Sequence, residues 1–356
     1  MNIIKDSMTS KERVNTYFDG GEVDRLPCFV FLGDMGCHFM NVDVSKYYTD
    51  AETMKNVEVF LLDKFNMDNL GVGIDGKLIA EIYGGDVVLP RDEVAYIKKA
   101  PLVDYNDLAG YELINPYKDG RLPTVMKGID LLIKEVGDRI DVGTATVGPM
   151  TIAASLRDAN DLMRDMRRDP ENVHRLLEFS LQTNIEYVKA VYNEFGVGVG
   201  IADPVSSCTL IGAKYFREFS KPYLSRLCDE ILNITGSKPS LHICGSTKSI
   251  WSDLKEMNIS SFSLDNCEDI GELKNAIGDS KCIVGNVRPV EALKFGTVED
   301  VLEESRICIE KGIDSPNGYV LSSGCQIPIG TCEENVHGLV NGCRIYARGA
   351  KMNKRK

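Results

Sequence analysis

Leu241-His242-Ile243-Cys244-Gly245 follows Pro239-Ser240 and closes what reads as a short buried strand over 239–243. Residues two apart on a strand share a face, so His242 and Cys244 are expected to project together with Ile243 between them. Outward from this stretch other strand-like segments recur, most of them ending in a polar or Gly-rich turn. They are found at 26–32 before Gly33-Asp34-Met35-Gly36, at 69–75, at 140–146 before Val147-Gly148-Pro149, and at 197–202 before Asp203-Pro204. They return at 260–264 before Asp265, at 282–285 before Asn286, and at 318–321 before Ser322-Ser323-Gly324-Cys325. Segments with helical apolar spacing separate these runs, at 9–19, 49–65, 122–136, 151–168, 170–195, 215–232, 270–277, 298–311 and 332–349. Eight strands alternating with helices predict an α/β fold of the (β/α)8 TIM-barrel class, with its site at the C-terminal strand ends. From 76 to 116, Gly pairs, Pro90 and Pro101 break the alternation, and 76–120 reads as a segment inserted after the second strand. The competing fold is a doubly wound open sheet, but no GxGxxG or Walker-type loop follows the first strand to cradle a dinucleotide or nucleotide.

Asp203, His242, Cys244, Asp265, Asn286 and Cys325 all fall at C-terminal strand ends in this arrangement. His242, Cys244 and Cys325 form a set of one imidazole and two thiolates that suits zinc and leaves a fourth tetrahedral position open, as catalytic zinc requires. With 4 His and 11 Cys in the chain, the His-x-Cys spacing alone arises readily by chance, and the surroundings of Cys244 and Cys325 must carry the assignment. Both lie among Gly, Ser and Pro, where side chains reach a cavity. Cys208, Cys228, Cys282 and Cys308 instead read as small buried apolar residues. Asp203 and Asp265 are candidates to orient a ligand or steer a proton, or else to cap a helix. His174 and His337 lie in helices and read as boundary residues.

All 356 residues read as one domain. A net charge of -12 argues against nucleic acid or an anionic membrane as partner. The basic run at 351–356 reads as a solvated end. No apolar stretch is long enough for a membrane span, Met1-Asn2-Ile3-Ile4-Lys5-Asp6 lacks the apolar run of a signal peptide, and scattered cysteines do not suggest a disulfide framework. A cytoplasmic protein is the expectation.

The runs at 241–245, Leu264-Asp265, Gly285-Asn286-Val287, Gly324-Cys325-Gln326-Ile327-Pro328 and Glu334-Asn335-Val336 together resemble the corrinoid-dependent methyltransferase branch of the uroporphyrinogen decarboxylase superfamily. That branch contains the methylcobalamin:coenzyme M methyltransferases. Lys11-Glu12-Arg13, Val23-Asp24-Arg25-Leu26-Pro27, Gly148-Pro149 and Ala202-Asp203-Pro204 extend the resemblance nearly end to end. It implies a TIM barrel in which His242, Cys244 and Cys325 hold Zn2+, with Glu81 or Asp203 as candidates for the fourth position when substrate is absent. It implies methyl transfer between a methyl-Co(III) corrinoid and a small molecule, either a thiol such as coenzyme M or tetrahydrofolate. No Asp-x-His-x-x-Gly run for binding cobalamin occurs, so the corrinoid is expected on a separate carrier protein, with His38 and Asn286 as candidates to face it.

A donor-side O- or N-demethylase that passes methyl to Co(I) shares these motifs. A uroporphyrinogen decarboxylase is a weaker alternative, because the loop at 33–38 lacks an Arg and the His-Cys-Cys set would be idle. A non-enzymatic zinc-holding assembly partner is the alternative outside catalysis.

Overall fold

The computed structural model describes residues 5–352, so residues 1–4 of the N-terminal stretch and 353–356 of the basic run lie outside the described residues. Ten strands occur in the order β1 (Cys28–Phe29), β2 (Leu70–Gly71), β3 (Asp86–Val88), β4 (Tyr96–Lys99), β5 (Val142–Val147), β6 (Val199–Ala202), β7 (Ser240–His242), β8 (Ser261–Ser263), β9 (Cys282–Val287) and β10 (Tyr319–Ser323). Eight of them form one sheet in the order β1-β10-β9-β8-β7-β6-β5-β2, and every pairing in it is parallel. β1 and β2 end that order and meet through residues beside them. The Asp68 N–H donates to the Cys28 carbonyl at 2.9 Å, and the Asn69 side chain accepts from the Val30 N–H at 2.6 Å. The curled sheet with its surrounding helices is the expected (β/α)8 barrel.

The strands at 26–32 and 69–75 are much shorter than expected, because side chains rather than a backbone ladder join β1 to β2. A single helix was expected over 151–168, but the chain forms Pro149–Arg157 and Ala159–Arg168. Asp158 breaks it at a φ of 76°, and its carboxylate accepts the N–H groups of Asn160 and Asp161 to start the second helix. The segment after β2 contains the helix Gly76–Ile82 and the antiparallel hairpin β3-β4. It is tied to the segment after β1, where Val44 donates to the Arg91 carbonyl, and to the helix Pro149–Arg157, where Leu102 donates to the Leu156 carbonyl.

Strand burial follows position in the barrel. β9 and β10 are buried at every residue, whereas β5 and β6 bury alternate ones. Thr144 faces outward, bonding Tyr187 on the helix Pro170–Phe195, so Gly143, Ala145, Gly200 and Ala202 face the barrel interior. Small residues on that wall leave room beside His242, whose register partner is Ala202.

Glu58, on the helix Ala51–Phe65, is a buried carboxyl that accepts from the Tyr47 hydroxyl at 2.6 Å. Burial lifts it from 4.5 to about 7 against the opposing Tyr47 bond, with the charge of Asp34 adding to the rise. The folded protein therefore keeps this proton up to about pH 7, while the unfolded chain releases it near 4.5. Stability falls as pH rises between those values and levels off above them. Glu58→Gln keeps an acceptor for Tyr47 and removes that loss. Thermal unfolding at pH 8 should show the variant more stable by about 1–3 kcal/mol, with the gain closing by pH 5.

Candidate metal centre

β7 stops at His242, so Cys244 lies in the following loop and does not share a strand face with His242 as expected. Gly245, at a φ of 69°, turns the chain, and the two side chains converge nonetheless. His242 Nε2 is 3.1 Å from Cys244 Sγ, and Cys244 Sγ is 3.5 Å from Cys325 Sγ. The three ligand atoms lie within 4.8 Å of one another, the one such group of His, Cys, Asp and Glu side chains among the described residues. Bonds of about 2.0–2.3 Å at tetrahedral angles separate N and S ligands by roughly 3.5–3.8 Å, so the triad fits zinc with little adjustment.

Each ligand is held from behind. Ser263, the register partner of His242 on β8, meets His242 Nδ1 with its hydroxyl at 3.0 Å and its carbonyl at 3.2 Å. With Nδ1–H donated there, the Nε2 lone pair points into the triad. Gly324 packs against the Asn266 backbone, where a Cβ would come within 2.5 Å of the amide nitrogen, so the approach to Cys325 needs glycine. Gln326 then donates to buried Asp34 at 2.8 Å. The two thiols share a hydrogen bond. That bond and the neighbouring His242 lower Cys325 to about 4, while the same bond, with burial, pushes Cys244 above its ordinary range.

The other expected site residues lie outside the triad. Asp203 is wholly buried, and its carboxylate accepts from the Thr151 N–H at 2.9 Å, the Thr151 hydroxyl at 2.6 Å and the Ser206 hydroxyl at 2.6 Å. It thereby caps the helix Pro149–Arg157, and Gly148 is required because a Cβ there would stand 2.3 Å from the Asp203 carboxyl carbon. Burial raises Asp203's carboxyl against these opposing bonds. Asp265 accepts from the Gly245 N–H at 2.8 Å, and Asn286 donates to the carbonyls of Asp265 at 3.0 Å and Glu268 at 2.7 Å. Glu81 pairs with Arg121 at 2.7 Å and does not join the triad. His38 is exposed on the short helix Gly36–Met40, against Phe39. His174 bonds Tyr223, and His337 lies against Phe65.

Ser263 and Glu268 were not singled out in the sequence. Strand register with His242 is the signal that marks Ser263, whereas nothing local marks Glu268. An open cleft of about 820 Å³ lined by Asn266, Glu268, Asn286 and Phe295 does not include the triad. The metal-ligating chemistry, and not the size of a cavity, locates the site.

The sequence matches the uroporphyrinogen decarboxylase (URO-D) family over residues 9–346. The chain belongs to that family. A methylcobamide:CoM methyltransferase (MtbA) of Methanosarcina acetivorans is 25% identical over 346 residues, covering 95% of this chain and 98% of the relative. A uroporphyrinogen decarboxylase of Oryza sativa is 26% identical over 221 residues, covering 60% of this chain and 55% of the relative. A solved methyltransferase from Methanosarcina mazei superposes with a TM-score of 0.82 at 25% identity, covering 94% of this chain and 98% of the other. Family and branch are those the motifs resembled, and the chain is an enzyme of the methyltransferase kind. No described helix is long and apolar enough to cross a membrane.

Proposed function

We propose that this enzyme moves a methyl group from a methyl-cobalt corrinoid, carried by a separate protein, to a small thiol, with zinc held by His242, Cys244 and Cys325. The observation that carries this reading is the convergence of one imidazole nitrogen and two sulfurs at the mouth of the barrel, with no fourth His, Cys, Asp or Glu among the described residues. Zinc bound there would lower the pKa of a thiol in its open position from about 8.5 and keep it nucleophilic at neutral pH.

The protein's own part is geometric and electrostatic. Cys244 and Cys325 as thiolates balance the charge of the metal, and Ser263 fixes the imidazole. Ala202 leaves space beside His242 for the acceptor. The relatives named for methylcobamide and CoM span nearly the whole chain, which favours a thiol acceptor over tetrahydrofolate. All eleven cysteines are free thiols, which suits a cytoplasmic location.

The test is the visible spectrum of methylcobalamin mixed with zinc-loaded protein and, separately, coenzyme M, homocysteine or tetrahydrofolate. Demethylation with a thiol and not with tetrahydrofolate is expected. No change with either thiol overturns the reading.

A further inference from the structure

From Gly245 to Lys248, directly after Cys244, the backbone N–H groups are caught one after another by side chains. Gly245 donates to Asp265 at 2.8 Å, and Ser246 to the Thr209 hydroxyl at 2.9 Å. Thr247 and Lys248 both donate to one oxygen of Glu268 at 2.6 Å. The same carboxylate also takes the Ser246 hydroxyl at 3.1 Å and the Thr247 hydroxyl at 2.6 Å, while Thr247 is pinned from below by the Trp251 indole N–H at 3.0 Å. Glu268 is itself anchored, since its carbonyl accepts from Asn286 on β9 and its N–H reaches the Asp265 carbonyl. An unbroken line of hydrogen bonds thus runs from β9 through Glu268 to the loop that carries Cys244.

We propose that Glu268 is a positioning residue that fixes where the Cys244 sulfur stands. The inference rests on Cys244 being a metal ligand. An ionised carboxylate suits this task because it accepts from every side and its charge-assisted bonds are about twice as strong as neutral ones. In Glu268→Gln the amide NH2 would take the place of one carboxylate oxygen. If it takes the place of the oxygen that accepts from the Thr247 and Lys248 N–H groups, donors face donors; if it takes the other place, the Thr247 hydroxyl must turn from donating to accepting. The alternative role is purely structural, that of starting the helical turn Lys248–Ile250.

Zinc affinity, measured by competition with a chromophoric chelator, and the spectrum of the cobalt(II)-loaded protein separate the two roles. In Glu268→Gln, zinc should bind about 10–100-fold more weakly and the thiolate-to-cobalt band should shift. Asp269→Asn is the control. It keeps the capping oxygen of the helix Ile270–Ile277 but removes the charge that favours the helix start and pairs with Lys311 at 2.6 Å, without touching the Cys244 loop. It should lose stability yet keep zinc affinity within about twofold. Glu268→Asp, which keeps the charge on a shorter arm, serves if the Gln variant does not fold, and it should also weaken zinc binding. Equal affinity in the parent and the Glu268 variant, or equal weakening in the Glu268 variant and Asp269→Asn, overturns the proposal. A parent that binds cobalt without a thiolate band instead overturns the zinc reading beneath it.

Discussion

Cys325→Ser should leave a folded protein that no longer retains zinc and no longer transfers methyl groups. Disturbing a partner behind a metal ligand costs about 10–100-fold in affinity, and removing one of only three ligands should cost more. Bound zinc measured after gel filtration should fall from about one per chain to a small fraction, and methylcobalamin turnover should fall by more than about a hundredfold. The fold should survive because the Cys325 turn is held by contacts that do not involve its sulfur. Gly324 donates to the Val287 carbonyl at 2.8 Å, Gln326 reaches Asp34, and Ile327 donates to the Phe31 carbonyl at 2.9 Å. By the same reasoning, parent protein stripped with a chelator should unfold within a few degrees of the zinc-loaded form. A structural zinc predicts the opposite, a chain that collapses when the metal leaves. Circular dichroism melts of the parent, the stripped protein and Cys325→Ser therefore decide between a catalytic and a structural ion.

The parts of the fold that local sequence made legible are those with local causes. β5, β6, β8, β9 and β10 lie where strand-like segments end in turns, and β9 and β10 are buried on both faces, as strands covered by helices are. The His-Cys-Cys triad, the candidate metal centre, was legible because His and Cys carry their chemistry in their identity. Asp203 and Asp265 were harder, since the work of a carboxylate depends on which donors the fold brings to it. Asp203 turned out to cap a helix that precedes it by some fifty residues in the chain, and only Gly148 hints at the contact. Glu268 is the extreme case, for its four donors come from a loop about twenty residues earlier. The shortness of β1 and β2 was equally hidden, because it results from a polar seam assembled from distant parts of the chain.

That seam yields the second large effect, in stability. Asp68 has no exposed side-chain surface, and its carboxylate accepts from Arg13 at 2.7 Å, from Arg25 at 2.5 Å and from the Cys28 N–H at 2.8 Å. Arg13 and Arg25 are themselves only 2% and 1% exposed, so Asp68→Ala would leave Arg13 to Asp24 and Arg25 to Asp6, with buried guanidinium N–H groups and a strand N–H unmet at the point where β1 meets β2. Removing one member of a buried ion-pair set costs about 3–5 kcal/mol, because the charges left behind cannot return to water. A fall in Tm of roughly 4–7 °C is the expected size in a chain this long. Asp24→Asn should cost less, since Arg13 would still be met by Asp68.

Acid acts on this seam through Asp24. Burial alone would raise the Asp24 carboxyl, but the hydrogen bond and charge of Arg13, with the Met8 and Ser7 N–H groups, hold it well below its ordinary 3.8. The unfolded chain therefore takes that proton first as pH falls, and the stability Asp24 contributes is present above about pH 4 and lost below it. In Asp24→Asn this part of the acid sensitivity should vanish, so its melting curve and the parent's should draw together between pH 5 and pH 3. A gap that stays constant over that range would mean that the Arg13–Asp24 pair adds nothing to the closure of the barrel.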